Sequence, residues 1–420
     1  MNLRLNQNIV YLTGMFASAG LGAVRPFMAA LILPQSDFGY YTSIIGLVGF
    51  ASMLVSFGTV EATTKLYPRL WEGGHRLAIW QDAFATFRTI GLWLLLPLLL
   101  GLSLSYFGLI AIGTFPILLL CLFTWLSVLL NLLASMIRAT HSLALLQTFS
   151  FLRSAIPLAA VGLALFWADW FIAIAAETLA ATLTGLAAAF LVHRRLKSAS
   201  AETQKHREDR NNADGRILYF ANLLSSSISL VDRAIVTAIL GAVQGGAYGM
   251  AALVVQAGSL LIGIISQKVG PEVIRHVYQG ASLQSALDYA RFPLGALVLA
   301  ACLMLAAYFA GIMFLPELGA SLLDCGIGPL AVVLAAILII LQIYMLFQFF
   351  LLAMDDETSV FYSGAAGVAI FASGVFLAWY FAWPMEAFLA SMVAARLVQI
   401  IVAAECLRQK IMARPKDFFP

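Results

Sequence analysis

Long apolar runs separated by short polar connections dominate the sequence. An α-helix rises ~1.5 Å per residue and bilayer hydrocarbon is ~30 Å thick, so roughly 20 apolar residues cross a membrane as a helix. The pattern therefore predicts an all-α, polytopic membrane protein with about 12 transmembrane helices. The predicted spans are 9–33, 40–60, 84–107, 110–134, 143–166, 170–192, 217–240, 246–267, 292–315, 328–353, 359–380 and 385–407.

The composition supports this fold class and leaves little chain for a soluble catalytic domain. Apolar residues make up 62% of the 420 residues and charged residues 11%, against ~45–50% and ~25% in soluble domains. No phosphate-binding loop is present, which argues against ATP-driven transport. The histidines and cysteines are scattered without ligand spacing. We therefore expect a transporter rather than an enzyme, with no metal site and no cofactor.

Lysines and arginines predict the orientation of the chain in the membrane. They occupy alternate connections, whereas the intervening connections near residues 34, 108, 167, 241, 316 and 382 hold none. Basic residues concentrate on the cytoplasmic side of membrane proteins. Both termini are thus predicted to be cytoplasmic, in a bacterial inner membrane. The basic connections contain Lys65, Arg69, Arg76, Arg138, Arg194, Arg195, Lys197, Lys205, Arg207, Arg210, Arg216, Lys268, Arg275, Arg291, Arg408, Lys410, Arg414 and Lys416.

The polar segment 193–216 predicts a cytoplasmic linker between two six-helix lobes, 1–192 and 217–420. A shift of 208 residues aligns VRPFMAALILP, from Val24, with DRAIVTAILGA, from Asp232. Arg25 then falls on Arg233. Repeats with an even number of spans lie parallel, related by a pseudo-two-fold axis along the membrane normal. A chance match over so short a segment remains an alternative.

Six ionisable residues lie well inside the predicted spans. An ionised group at the bilayer centre costs at least ~2.5–3.5 kcal/mol, so it usually faces a cavity or a partner. Arginine suits an anionic head group because its planar fork donates two parallel hydrogen bonds to phosphate oxygens. Interhelical ion pairs that hold the bundle together are the alternative. The candidate substrate-binding residues are Arg25, Arg153, Arg233 and Arg396; the acids are Asp232 and Glu177.

The two acids are the candidate coupling sites for a proton or sodium ion, because few carboxylates lie so deep in the spans. A static salt bridge to Arg153 or Arg396 would also account for each of them.

Arg88 lies near the cytoplasmic end of its span, where a long side chain reaches the interface by snorkelling.

Three segments resemble Wzx-type polysaccharide flippases of the multidrug, oligosaccharidyl-lipid and polysaccharide exporter (MOP) superfamily. The first is LPQSDFGYYTSIIGLVGFASMLVSFGTVEATTKLYPRL, from Leu33, and the second is SISLVDRAIVTAILGAVQGGAYGMAALVV, from Ser227. The third is FFLLAMDDETSVFYSGAAGVAIFASGVFLAWYFAWPMEAFLASMVAARLVQ, which is similar to the last three spans of that family. The resemblance covers most of the chain.

The resemblance implies a twelve-span, two-lobe protein that turns undecaprenyl-pyrophosphate-linked oligosaccharide from the cytoplasmic to the periplasmic leaflet. Arg25, Arg233 and Asp232 match positions where such proteins keep charges. The implied partners are this lipid-linked substrate, the bilayer and glycan polymerase components, with no nucleic acid. The glycan could belong to O-antigen, capsule or exopolysaccharide.

Two other functions are compatible with the sequence. An exporter of drugs or organic cations from the same superfamily should carry acids rather than arginines in its central cleft. A membrane-embedded glycan polymerase or ligase should have large periplasmic loops with catalytic residues. The predicted outer connections are short, which disfavours the enzyme.

Overall fold

The computed structural model of the protein describes residues 2–107, 114–140, 142–197, 213–256, 259, 283–314, 328–354 and 356–413. The regular structure in these ranges is helical. The α-helices are α1 (Asn2–Ile32), α2 (Gln35–Ser56), α3 (Thr59–Glu72), α4 (Arg76–Tyr106), α5 (Thr114–Ala139), α6 (Leu143–Ala164), α7 (Trp170–Lys197), α8 (Ala213–Leu230), α9 (Asp232–Leu240), α10 (242–256), α11 (Leu283–Phe314), α12 (Pro329–Leu341), α13 (Tyr344–Ala353), α14 (Glu357–Tyr380) and α15 (Met385–Ala413).

The all-α membrane fold predicted from the apolar runs is confirmed. Within the described ranges, nine helices are long and apolar enough to cross a membrane, and ten are if the bent pair α8–α9 counts as one span. Part of the predicted span 246–267 lies outside the described residues, so the number of twelve stays a prediction. The predicted linker 193–216 begins inside α7, which continues to Lys197.

Large apolar side chains cover the outside of the helices. Leu96 on α4 is 69% exposed, and Phe166, just after α6, is 83% exposed. Water would make such continuous exposed apolar surface unfavourable, whereas lipid hydrocarbon solvates it. The chain is therefore a multi-pass membrane protein.

One helix was not expected from the apolar runs. Residues Thr59–Glu72, in the predicted polar connection after the second span, form α3. Tyr67 and Leu70 on this helix are buried, and the Tyr67 hydroxyl donates to Asp82 at 3.1 Å. Gly58 precedes α3 with φ of 78°, a left-handed conformation that favours glycine. An amphipathic helix of this length falls below the threshold for a span, which explains why hydropathy did not reveal it.

The chain divides into two compact units. The first comprises Met1–Pro34 and Ile44–Tyr219. In this unit α1 packs on α6, and α5 packs on α3, α4 and α7. Ile90 and Leu94 of α4 form a core with Val128 and Leu132 of α5.

The second unit comprises Gln35–Ser43 and Phe220–Pro420, so it includes the first turns of α2. Its core joins α9, α10, α12, α14 and α15. The start of α2 lies so close to α10 that a Cβ on Gly39 would collide with the carbonyl oxygen of Ala242, and one on Gly246 with that of Gln35. The twelve-span, two-lobe organisation with boundaries at 192 and 217 stays a prediction.

Candidate functional site

In the first unit Arg25 and Glu177 form an ion pair. Arg25 lies on α1 and donates from Nη1 to Oε2 of Glu177, on α7, at 2.8 Å. The Glu177 side chain is 2% exposed and that of Arg25 is 25% exposed. The sequence predicts Arg153 or Arg396 as the partner of a static salt bridge to Glu177, whereas the ion pair in the structure is with Arg25. Packing of α1, α6 and α7 around one another brings the two residues together.

Arg153, on α6, differs from Arg25 in having a neutral partner. It is exposed, and its Nη2 donates to Oδ1 of Asn131 on α5 at 3.3 Å. Arg25 and Arg138 lie within electrostatic range of Arg153. We call Arg25, Arg138 and Arg153 the first-unit arginine cluster. Within the described residues no ion pair is formed by Arg153.

Prolines accompany both arginines that were predicted in these helices. Pro26 directly follows Arg25 in α1, and Pro157 lies in α6, four residues after Arg153. Proline cannot donate to the carbonyl four residues earlier, so the Arg153 carbonyl loses its helical partner. Both helices continue through their prolines, as tolerated in membrane helices where other groups satisfy the backbone.

In the second unit the predicted span 217–240 is broken. Helices α8 and α9 meet at Val231 with a bend of 41°. Asp232 and Arg233 are the first two residues after this break. A carboxylate in the first turn of a helix is stabilised by the positive end of the helix dipole. The surrounding SLVDRA contains neither glycine nor proline, so the sequence carries no usual signal for the break.

Asp232 is buried and bound by Tyr248 of α10. The Tyr248 hydroxyl donates to Oδ2 of Asp232 at 2.9 Å, and Tyr248 is itself fully buried. The other carboxylate oxygen, Oδ1, accepts no hydrogen bond. Buried polar atoms are usually satisfied, and exceptions often mark functional groups. Asp232 therefore has one buried carboxylate oxygen without a hydrogen-bond partner.

Arg233 is held by neutral groups on two other helices. Its Nη2 donates to Oε1 of Gln256 on α10 at 3.3 Å. Its backbone carbonyl accepts a hydrogen bond from the Ser43 hydroxyl of α2 at 3.2 Å. Its Nε is buried and has no hydrogen-bond partner.

Arg396, on α15, is 1% exposed, and its direct partners are also neutral. Nη1 donates to Oε1 of Gln399 at 2.7 Å and Nη2 to the carbonyl of Ser225 at 3.4 Å. The guanidinium carbon lies 4.3 Å from the centre of the Tyr344 ring, a cation–π contact. Asp232 lies within electrostatic range of both Arg233 and Arg396. We call Asp232, Arg233, Tyr248 and Arg396 the second-unit polar cluster.

The six candidate site residues predicted from the sequence are divided between the two units. Arg25, Arg153 and Glu177 lie in the first unit, whereas Asp232, Arg233 and Arg396 lie in the second. Substrate binding by the four arginines stays a prediction, and so does ion coupling by the acids. Within the described residues, no three His, Cys, Asp or Glu side chains are grouped to hold a metal ion.

Sequence reasoning missed the neutral partners Asn131, Gln256, Tyr344 and Gln399. Gln399 lies three residues after Arg396 on one helix, a spacing that places side chains side by side. That partner could therefore have been inferred. The others come from different helices, and nothing in their local sequence signals the contact.

Comparison with solved structures identifies the fold. A MATE transporter in complex with MaL6 matches with a TM-score of 0.67 and 12% identity over 96% of both chains. An outward-facing multidrug resistance MATE transporter of the MOP superfamily matches at 0.64 and 13%, over 96% of this chain and 94% of the other. A MOP superfamily transporter from Pyrococcus furiosus, described by the reverse polarity of its binding pocket, matches at 0.57 and 12%, over 96% and 94%.

The apolar helices, the buried charges and this likeness define a membrane protein with the fold of MOP-superfamily transporters. The chain belongs to the polysaccharide biosynthesis protein family, whose model matches residues 5–270. The curated proteins contain no match to the chain.

Proposed function

We propose that the protein is a flippase for lipid-linked oligosaccharide. It moves undecaprenyl-pyrophosphate-linked repeat units of O-antigen, capsule or exopolysaccharide from the cytoplasmic to the periplasmic leaflet of a bacterial inner membrane by alternating access. Both of its termini are cytoplasmic in this proposal. Membership of a polysaccharide biosynthesis family, together with a transporter fold, supports it.

The environment of Arg153 carries the proposal. This arginine is exposed on a membrane helix, bonds to a neutral amide and lies within range of two further arginines. Such a group is costly in hydrocarbon unless an anion balances it. The diphosphate of the substrate would supply that anion and accept paired hydrogen bonds from the guanidinium fork. The sugar then occupies the transport pathway while the polyprenyl tail stays in the bilayer.

The two buried acids are the proposed sites of coupling to a proton or sodium ion. Asp232 has an open oxygen, which supports it more strongly than Glu177, whose carboxylate is paired with Arg25. The membrane potential also acts on the substrate. With a negative interior, outward movement of anionic charge is favoured by ~2.3 kcal/mol per charge per 100 mV.

Export of drugs or organic cations is the second candidate function. Its support is the likeness to two multidrug resistance MATE transporters, each with a TM-score of 0.64. The charges of the two clusters disfavour it, because arginines repel a cationic substrate. Arg396, buried among neutral groups, adds to this repulsion.

Deletion of the gene in the bacterium that encodes it tests the proposal, whichever glycan that bacterium makes. Loss of surface glycan, with accumulation of its lipid-linked precursor inside the cell, is the expected result. Re-expression of the parental protein should restore the glycan, and Arg153→Ala at equal membrane levels should not. Arg194→Ala removes an exposed arginine from the cytoplasmic end of α7 and serves as the matched control.

The same strains separate the two candidate functions. A deletion strain with normal surface glycan, normal precursor levels and new sensitivity to organic cations would establish the exporter and exclude the flippase. Full glycan export by Arg153→Ala would not contradict the flippase function, but it would exclude diphosphate binding at this residue.

A further inference from the structure

A groove on the first unit runs between α4 and α5. Its volume is about 610 Å³, within the range of ~300–1,000 Å³ that is usual for sites that bind small molecules. Its walls are apolar apart from one arginine. The lining includes Arg88, Leu95, Leu98, Phe115, Leu122 and Trp125.

Close contacts between α4 and α5 bound this groove. The Trp125 ring stacks on Phe87 with ring centres 4.4 Å apart, and its Nε1 donates to the Phe87 carbonyl at 3.0 Å. This fixed indole lies over Gly91, where a Cβ would approach it to 2.9 Å. The absence of a side chain at Gly91 thus lets the Trp125 ring pack directly against α4. At Gly101 the helices close again, because Ile117 comes within 3.0 Å of a Cβ there.

Among the described residues Arg88 is the one charged side chain in the lining, and it comes first in the α4 part of that lining. It is exposed, and within the described residues it makes no hydrogen bond or ion pair. Snorkelling to the interface explains its position in the span but assigns no partner to its charge. The sequence that follows it in α4, TIGLWLLLPLLLGLSLSY, has no charged residue. An arginine at the start of such an apolar stretch is typical of the border between hydrocarbon and head groups.

The length of the groove matches one leaflet. Its lining on α4 extends from Arg88 to Leu98, about 15 Å at ~1.5 Å per residue. Half of the ~30 Å hydrocarbon thickness is the same distance. An acyl chain of one leaflet fits this length, whereas a polyprenyl chain long enough to anchor a glycan would extend well beyond it.

We propose that this groove binds an anionic diacyl phospholipid whose head group lies at the Arg88 end. One acyl chain lies along α4 and α5, against Trp125 and Phe115, and the phosphate accepts hydrogen bonds from Arg88. Basic pockets between membrane helices on the cytoplasmic side are typical sites for acidic lipids. The lining contains no residue of the first-unit arginine cluster or the second-unit polar cluster, so the proposal does not depend on which substrate the protein transports.

Thermal unfolding of the purified protein in detergent tests the site, because a ligand that binds the folded state raises the Tm. Short-chain phosphatidylglycerol is added over a concentration range, with phosphatidylcholine of the same chains as the neutral comparison. We expect a larger Tm shift with phosphatidylglycerol for the parental protein. Arg88→Gln should weaken the apparent affinity for phosphatidylglycerol about tenfold, the effect of one lost charged hydrogen-bonding group.

Two further variants make the result specific. Arg194→Gln removes a charge outside the groove and should keep the parental affinity. Leu122→Trp fills the groove without changing charge and should weaken both lipids. Equal phosphatidylglycerol affinity in the parental protein, Arg88→Gln and Leu122→Trp would overturn the site. Displacement of phosphatidylglycerol by equimolar polyprenyl phosphate would overturn the assigned occupant and make the groove a substrate-tail site.

Discussion

Arg25 and Glu177 are joined by a 2.8 Å ion pair across 152 residues of sequence, and they differ in exposure. Glu177 is almost completely buried, whereas a quarter of the Arg25 side chain is exposed. A buried charge that loses its partner destabilises a protein far more than a solvated one does. The pair therefore has an asymmetric response to mutation.

We expect Arg25→Ala to destabilise the protein by about 3–5 kcal/mol, because it leaves the Glu177 carboxylate buried without its counter-charge. Glu177→Gln should cost less, since the remaining guanidinium is partly exposed. The double variant should be more stable than Arg25→Ala alone. Thermal unfolding in detergent of the parental protein, the two single variants and the double variant gives the double-mutant cycle. Additive losses of stability would contradict a structural pair.

Arg153 should behave in the opposite way. Arg153→Ala removes an exposed side chain with a neutral partner, so the Tm should stay within the range of a surface substitution. Transport should fall at least tenfold, because a charge-assisted contact with an anion is lost. Arg153→Lys keeps the charge without the fork and should be partly active. The amount of surface glycan in cells with matched expression measures the transport activity of both variants. Export by Arg153→Ala at the parental rate would refute phosphate binding at Arg153.

Asp232 and Tyr248 permit a test of ion coupling. Tyr248→Phe removes the hydroxyl that donates to Asp232 and should destabilise the protein by about 1–3 kcal/mol. Asp232→Asn should remove the dependence of transport on an imposed proton or sodium gradient while the protein still inserts. Glu177→Gln is the parallel variant for the other acid. If neither Asp232→Asn nor Glu177→Gln alters the ion dependence, coupling at these acids is excluded.

The contact between the start of α2 and α10 should tolerate no methyl group. Gly39→Ala and Gly246→Ala would each press Cβ against a backbone carbonyl that cannot rotate away. Overpacking of this kind costs about 1–3 kcal/mol. Gly295→Ala in α11 meets no atom within 4 Å and should be neutral or stabilising by up to ~1 kcal/mol from helix propensity. Tm values of the three variants check the contrast, and similar losses in all three would refute it.

The sequence predicted the membrane helices well because burial in lipid is a local property of each residue. The cost of placing a side chain in hydrocarbon is added along the chain, one residue at a time, whatever the other helices do. Helices α6, α14 and α15 accordingly begin within two residues of the starts of their predicted spans. The same local reasoning missed α3, whose apolar face is stabilised by contact with α4 and α5 rather than by lipid.

The tertiary structure alone decided what each buried charge contacts. Hydropathy placed Glu177 and Arg25 inside spans, but their pairing depends on how α1 and α7 rotate and pack. The break at Val231 that presents Asp232 to Tyr248 has no glycine or proline to announce it. Charge pairs form between helices far apart in sequence, and their partners depend on packing that no single segment specifies. The sequence therefore determined which charges are in the membrane, and the packing of the helices determined which of them have ionic partners and which are left to neutral groups.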